Sequence, residues 1–171
     1  MNAFAATTIT TERLVLTPLR QADADVMVDV FADQRLHQFI GGHPASHAEL
    51  HDRYGRLAAG SPNPDQIWLN WIVRRRTDET AVGTMQATVT RRPDGWTADV
   101  AWVIGVPWQA QGIATEAARA LVDWLRGQGA NTITANIHPN HHASASVAAR
   151  AGLTMTDQEV DGERVWRTPS P

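Results

Sequence analysis

Residues Trp102 to Leu125, WVIGVPWQAQGIATEAARALVDWL, restrict the fold more than any other stretch of the chain. A strand-like run gives way to a short polar loop, and the loop opens directly into an amphipathic helix. Ile113, Ala114, Ala117, Ala118, Leu121, Val122 and Leu125 fall at helical spacing until Gly127 and Gly129 stop the pattern. The first backbone N–H groups of such a helix have no intrahelical partner, and the helix dipole adds partial positive charge there. A loop delivered to that point can hold an anion such as a diphosphate on backbone donors alone. Gly112 has no side chain to block close approach, Ala114 is small, and Thr115 can add a hydroxyl donor. Taken alone, one Gly between a strand and a helix is also what an ordinary connection looks like.

Upstream, Gln66 to Arg75, Thr80 to Thr90 and Trp96 to Val106 read as strands separated by Thr77-Asp78-Glu79 and Pro93-Asp94-Gly95, a three-strand meander. In the third strand Asp99, Ala101 and Val103 share one face. Before the meander, Arg13 to Leu16 gives a strand ending at Pro18, and Val26, Met27, Val30 and Phe31 have helical spacing. Ser46 with Glu49 three residues on is a capping-box pattern for a helix that runs to Gly60. After the central helix come a strand from Ile133 to His138, a short helix from Ser144 to Ala151, and a hairpin from Leu153 to Trp166 turning at Asp161-Gly162. The order implies one α+β (mixed α/β) domain over residues 1–171 rather than a doubly wound sheet, with loose ends at MNAFAATT and TPSP.

Composition removes many chemistries. The 171 residues contain no Cys, which excludes a Cys intermediate and thiolate metal sites, and all 15 basic residues are Arg. Without Lys there is no Walker lysine, Schiff base or Lys nucleophile. A net charge of −3 argues against a nucleic-acid partner held through phosphates. No apolar run is long enough to span a bilayer, so a cytoplasmic location is the default expectation. His47 and His51 lie one helical turn apart, but the Glu position fits neither zinc-protease helix motif and no third ligand is evident, so no metal site is expected. Arg74-Arg75-Arg76 and Arg91-Arg92 read as solvated turns, the first cluster lying at the same end of the meander as the anion loop. Trp68, Trp71, Trp102 and Trp108 could line a pocket, fill a core or face a homodimer partner.

Gln109-x-x-Gly112-x-Ala114 resembles the Gln/Arg-x-x-Gly-x-Gly/Ala pyrophosphate motif of the GNAT acyltransferases, and Ala114-Thr115-Glu116-Ala117 resembles their RimJ/RimL-like branch. Thr11-Glu12-Arg13-Leu14-Val15-Leu16 is similar to the opening strand of that branch. Ser144-x-x-Val147-x-x-x-Ala151-Gly152-Leu153 is similar to its late helix motif, except that His141 stands where the family has Asn.

This resemblance implies a central, mostly antiparallel, splayed sheet flanked by helices. It implies an N-acyltransferase moving an acyl group, most simply acetyl, from acetyl-CoA to a primary amine of a small molecule or a peptide N-terminus, by direct attack in a ternary complex. CoA would lie on Gln109, Ala110, Gln111, Gly112, Ile113, Ala114 and Thr115, with His141 and Ser144 nearby and the acyl carbonyl near the N–H of Val103 or Ile104. Asp99 is the first candidate for general base and His138 the second; Asn136 and His138 could orient substrate, and Ser144 could protonate the leaving thiolate. Simple structural readings stand beside these roles: Asp99 as a solvated strand residue, Ser144 as a helix N-cap. Ala148 occupies the position where many relatives have the proton-donating Tyr. The absent Tyr and the His141 substitution keep open a non-catalytic CoA-binding domain, and loop chemistry alone leaves open another donor, such as a different acyl-CoA or an aminoacyl-tRNA.

Overall fold

The computed structural model describes residues 4–170. Its centre is an eight-stranded sheet in the order β1-β2-β3-β4-β5-β6-β8-β7. The strands are β1 (Ile9–Thr10), β2 (Leu14–Pro18), β3 (Gln66–Arg75), β4 (Ala81–Arg92), β5 (Gly95–Ile104), β6 (Ala130–Ile137), β7 (Thr154–Val160) and β8 (Glu163–Arg167). Every neighbouring pair is antiparallel except β5 and β6. The helices are α1 (Ala24–Val30), α2 (His37–Ile40), α3 (His47–Ala59), α4 (Ile113–Gly127) and α5 (His142–Arg150). The mixed α+β architecture and the largely antiparallel sheet follow the expectation from the sequence.

Alternation along the strands divides the packing between two faces. Leu69, Trp71, Met85, Ala87, Ala98, Val100 and Ile104 bury on one side together with Ile113, Ala117, Leu121 and Leu125 of α4. The apolar stripe read on α4 is thus the stripe that covers the sheet. Ile72 and Ala81 on the other side meet Met27 and Val30 of α1 and Leu50 and Tyr54 of α3. Asp99, Ala101, Val103, Gln86 and Thr84 belong to this second face, which is only partly covered.

Several local expectations hold. The Ser46 hydroxyl accepts from the Glu49 N–H at 3.2 Å, and the Glu49 carboxylate accepts from the Ser46 N–H at 3.0 Å. The last hairpin turns with φ of 51° at Asp161 and 81° at Gly162, as a two-residue turn of the primed type requires. Others need correcting. The sequence stretches read as loose include anchored residues: Phe4 is buried edge-on to Trp96, and the buried Thr168 hydroxyl accepts from the Ile133 N–H. Val26, placed by spacing on the apolar side of α1, is half exposed. The one-turn α2 and the two-residue β1 are too short for periodicity to show.

Leu121 is fully buried where α4 crosses the sheet. Leu121→Ala should cost about 2–5 kcal/mol. Urea unfolding would show this as a lower midpoint with an unchanged slope.

Candidate functional site

Two features meet at one end of the sheet. The first is a wedge inside it. β5 and β6 pair only over Trp96↔Ala130, Thr97↔Thr132, Ala98↔Ile133 and Asp99↔Thr134. Beyond that point β5 continues beside β4, whereas β6 continues beside β8 from Thr134↔Arg167 to Ile137↔Arg164. The facing backbone edges of the two strands are therefore left open in mid-sheet.

Register decides which peptide groups face the wedge. The Gly105 N–H donates to the Val82 carbonyl at 2.8 Å. Because hydrogen-bonded positions alternate along an antiparallel pair, Val103 and Ala101 also spend their N–H and C=O on β4, while Trp102 and Ile104 turn theirs towards β6. The Ile104 carbonyl, thus directed, accepts from Gln109 Nε2 at 2.9 Å. Gly83 permits the close approach of β4 here: a Cβ on it would lie 2.3 Å from the Val103 carbonyl oxygen.

The second feature is the loop that closes the wide end of the wedge. Ala110 has φ of 59° and Gly112 φ of 77°, so the chain turns through two left-handed residues before α4 starts. The first donor of α4 to reach a carbonyl is Glu116, bonding Gly112 at 3.0 Å. Among the described residues no carbonyl accepts from the N–H groups of Ala110 to Thr115. Those donors, with the dipole of a 15-residue helix behind them, form a cradle suited to a diphosphate.

A clamp absent from the sequence reading fixes this cradle. The Glu116 carboxylate accepts from the Thr11 hydroxyl at 2.6 Å, from the Arg13 N–H at 3.1 Å and from Arg13 Nε at 2.9 Å. Arg13 also donates to the Gln111 carbonyl at 3.0 Å. Partial burial works to raise the Glu116 carboxyl, but these hydrogen bonds and the Arg13 charge outweigh it and hold it below its ordinary range. Arg13 Nη2 would lie 3.3 Å from a Cβ placed on Gly112, so a cation stands beside the loop. Both partners lie in the Thr11-Glu12-Arg13-Leu14 run, whose resemblance to the family's opening strand says nothing of what its side chains touch.

The other residues singled out from the sequence run from the narrow end of the wedge, at Asp99, along β6 to the start of α5. The Thr134 hydroxyl donates to Asp99 at 3.1 Å. Loss of hydration raises the Asp99 carboxyl, the Thr134 bond opposes this, and the Glu163 charge adds to it. Thr134, Asn136 and His138 share the face of Asp99, opposite to the buried Ile133, Ala135 and Ile137. His138 Nδ1 accepts from the Asn140 N–H at 3.1 Å, so the neutral ring carries its proton on Nε2 and presents a donor.

Ser144 does not cap α5. The N-cap is His141, whose Nδ1 accepts from the Ser144 N–H at 3.3 Å, with Nε2 of the same ring 3.1 Å from the Ser144 hydroxyl. Phe39 stacks on His141 with ring centroids 4.3 Å apart. Burial and the neighbouring His138 and His142 keep His141 neutral to lower pH than usual.

The remaining motifs resolve structurally. Arg74 pairs with the buried Asp23, Arg75 pairs with Asp78, and Arg76 donates to the carbonyls of Thr11 and Glu12. His47 bonds Asp25, and Gln21 reaches His51. Trp71 is fully buried with its Nε1 on the Thr7 carbonyl, and Trp102 packs against the α4 side.

A model of the acetyltransferase (GNAT) domain family matches residues 13–154. An acetyltransferase structure from Agrobacterium tumefaciens is 26% identical, covering 98% of this chain and 96% of that one, with a TM-score of 0.72. RimL, a ribosomal-protein α-N-acetyltransferase solved with coenzyme A, is 14% identical over 94% of this chain and 97% of its own, with a TM-score of 0.74. The microcin C7 self-immunity acetyltransferase MccE, solved with acetyl-CoA and AMP, is 13% identical over 92% and 93%, with a TM-score of 0.75. At 14% and 13% these two show the shared fold alone. No curated protein matches the chain significantly.

The cradle makes a direct demand on Gly112. Gly112→Asp adds a negative charge and a side chain at a positive φ, against the anion and against Arg13 Nη2. We expect at least a hundredfold loss of CoA affinity by calorimetry, on the order of 3 kcal/mol, with unaltered far-UV circular dichroism.

Proposed function

Because this chain belongs to the GNAT acetyltransferases, enzymes that use acetyl-CoA, we propose that it transfers acetyl to a primary amine of a small molecule or peptide N-terminus by direct attack within a ternary complex. One observation carries the reading: a wedge between β5 and β6 that exposes backbone donors along one edge and ends at an anion cradle.

In this reading the N–H groups of Ala110 to Thr115 hold the diphosphate, with Gln109 bracing the loop against the Ile104 carbonyl. The open edge at Trp102 and Ile104 pairs with pantetheine. Of the two N–H groups considered for the acyl oxygen, that of Ile104 faces the wedge, whereas that of Val103 is turned to β4. Ile104 is therefore the better donor to the developing oxyanion.

Asp99 is favoured over His138 as base, because Nδ1 of His138 is already occupied. Asp99 and Val103 are four residues apart, about 13 Å along the strand at ~3.3 Å per residue. An amine above Ala101 lies midway, beside Gln86 on β4, and reaches Asp99 through one water. Although its side chain reaches the surface, the raised Asp99 carboxyl is a stronger base than an ordinary Asp, which helps against an ammonium pKa near ~10.4. Asn136, exposed on the same face, can orient the acceptor. His141 Nε2–H donates to the Ser144 oxygen, and the Ser144 proton remains to meet the leaving sulfur.

Thiol release from acetyl-CoA over an amine panel, with products identified by mass spectrometry, tests the assignment. Double-reciprocal plots should intersect; parallel lines would show an acyl-enzyme and contradict it. Asp99→Asn should lose rate mainly at low pH, where the amine is protonated and a base is needed. Rates unchanged across the pH range would remove Asp99 from the chemistry.

Ser144→Ala should lower kcat by roughly one to two powers of ten, as loss of one positioned proton donor does. Its melting temperature should hardly move, since the cap belongs to His141. A full kcat in the folded variant would mean that the thiolate leaves through water.

A further inference from the structure

On the sheet face that carries Asp99 and Val103, α1 and α3 enclose a cavity of about 190 Å³. Its wall is mainly apolar, with Val28 of α1, Phe31 just beyond it, Leu50 of α3 and Val103 from the sheet. Two polar side chains in that wall lack any partner: the Tyr54 hydroxyl and Asn70 Nδ2 are both buried without a hydrogen bond. Tyr54 is 4% exposed and Asn70 8%. Buried polar groups are nearly always paired, and two orphans lining one small cavity are costly for folding alone.

The sequence makes both residues conspicuous. Asn70 interrupts the apolar run Ile67-Trp68-Leu69-Asn70-Trp71-Ile72-Val73 in the middle of a central strand, where Asn is disfavoured. Tyr54 is the only Tyr of the chain. Burial pushes its hydroxyl up to about 12, so it stays protonated at any working pH.

The chemistry of the wall selects an occupant. In this orientation Asn70 presents Nδ2, a donor, so the atom that meets it is a hydrogen-bond acceptor. Among the described residues no carboxylate faces the cavity, and Arg53 is the one wall side chain with a fixed positive charge. A polycationic amine would find no counter-charge there. Ligand pockets usually measure roughly 300–1,000 Å³, so this one takes a compact group. Val103 and Gln86 close the end nearest Ala101, where the reacting amine belongs.

We propose that this cavity is the acceptor subsite, and that the Asn70 amide and the Tyr54 hydroxyl bind an oxygen of an amine with a compact apolar body, such as an amino-acid amide or an apolar peptide N-terminus. The proposal deepens the acetyl-transfer reading and rests on it for the position of the reacting nitrogen.

The test uses matched amines with and without the oxygen, such as leucinamide against 3-methylbutylamine, together with an N-terminal Leu tripeptide, other such pairs, and spermidine as the polycation. Transfer is read as kcat/KM, and binding to the CoA-loaded protein by calorimetry. Wild type should favour oxygen-bearing members at least tenfold. Asn70→Leu should erase that preference through KM while retaining CoA affinity and a melting temperature at or above wild type, because it removes an unpartnered polar group. Tyr54→Phe should reduce it.

A preference unchanged in both variants, no preference in wild type for any pair, or spermidine as the best acceptor would overturn the proposal. The amide and the tripeptide separate a free amino-acid derivative from a peptide N-terminus. If calorimetry shows oxygen-dependent binding that Asn70→Leu removes but no amine is acetylated, the transfer reading fails and the cavity assignment stands. If amines are acetylated with no such dependence, the reverse holds.

Discussion

Two parallel strands that pair for four positions and then part leave peptide groups open in the interior of a sheet, where such groups are almost always satisfied. The rest of the site follows from that separation. β6 is drawn away because β8 pairs with it from Thr134 onwards, while β5 is held in place by a long ladder with β4 and by α4 packed beneath it. The wedge is thus enforced from both sides and does not depend on a mobile loop. An extended ligand with amide groups can complete the ladder as a missing strand would, and the anion cradle at the wide end sets its direction.

The clamp around Glu116 reconciles two opposing demands on that cradle. A carboxylate in the first turn favours the helix but repels an anion bound at the same end. Thr11 and Arg13 saturate the carboxylate with three hydrogen bonds, and Arg13 sets its own charge beside Gly112. Helix start, loop and second strand are thereby tied together over more than 100 residues of sequence. Neutralising the local carboxylate lets backbone donors serve a diphosphate in a protein that has no Lys to offer.

Much of what is periodic or local was legible in the sequence. The β3 boundaries, the stripe on α4, the Ser46 capping box and the turn at Asp161-Gly162 each depend on neighbours a few residues away. The Glu116 clamp was not legible, because Thr11 and Glu116 meet only once the sheet has formed. The choice between Val103 and Ile104 turns on hydrogen-bond register, which side-chain pattern does not encode. No sequence pattern links Tyr54 on α3 with Asn70 inside the apolar run of β3. Only the enclosed volume between α3 and the sheet brings the two into one wall. Among the described residues none of the four Trp residues considered for a pocket lines that cavity: Trp71 is buried in the core, and Trp102 and Trp108 pack against it.

His141, where the resembling family has Asn, shows how a changed residue can keep one role and alter another. A neutral imidazole still accepts from the Ser144 N–H, so the start of α5 remains capped. With Nδ1 engaged as acceptor, the ring proton must sit on Nε2, where it points at the Ser144 oxygen. The Ser144 hydroxyl then has its oxygen occupied and its own hydrogen free. Protonation of His141 would remove the acceptor at Nδ1 and release the cap, so the arrangement depends on a neutral ring. Burial first, and then the nearby His138 and His142, disfavour the imidazolium. The substitution thus keeps the cap and also orients the hydroxyl, provided that Phe39, contributed by a separate short helix, stays against the ring.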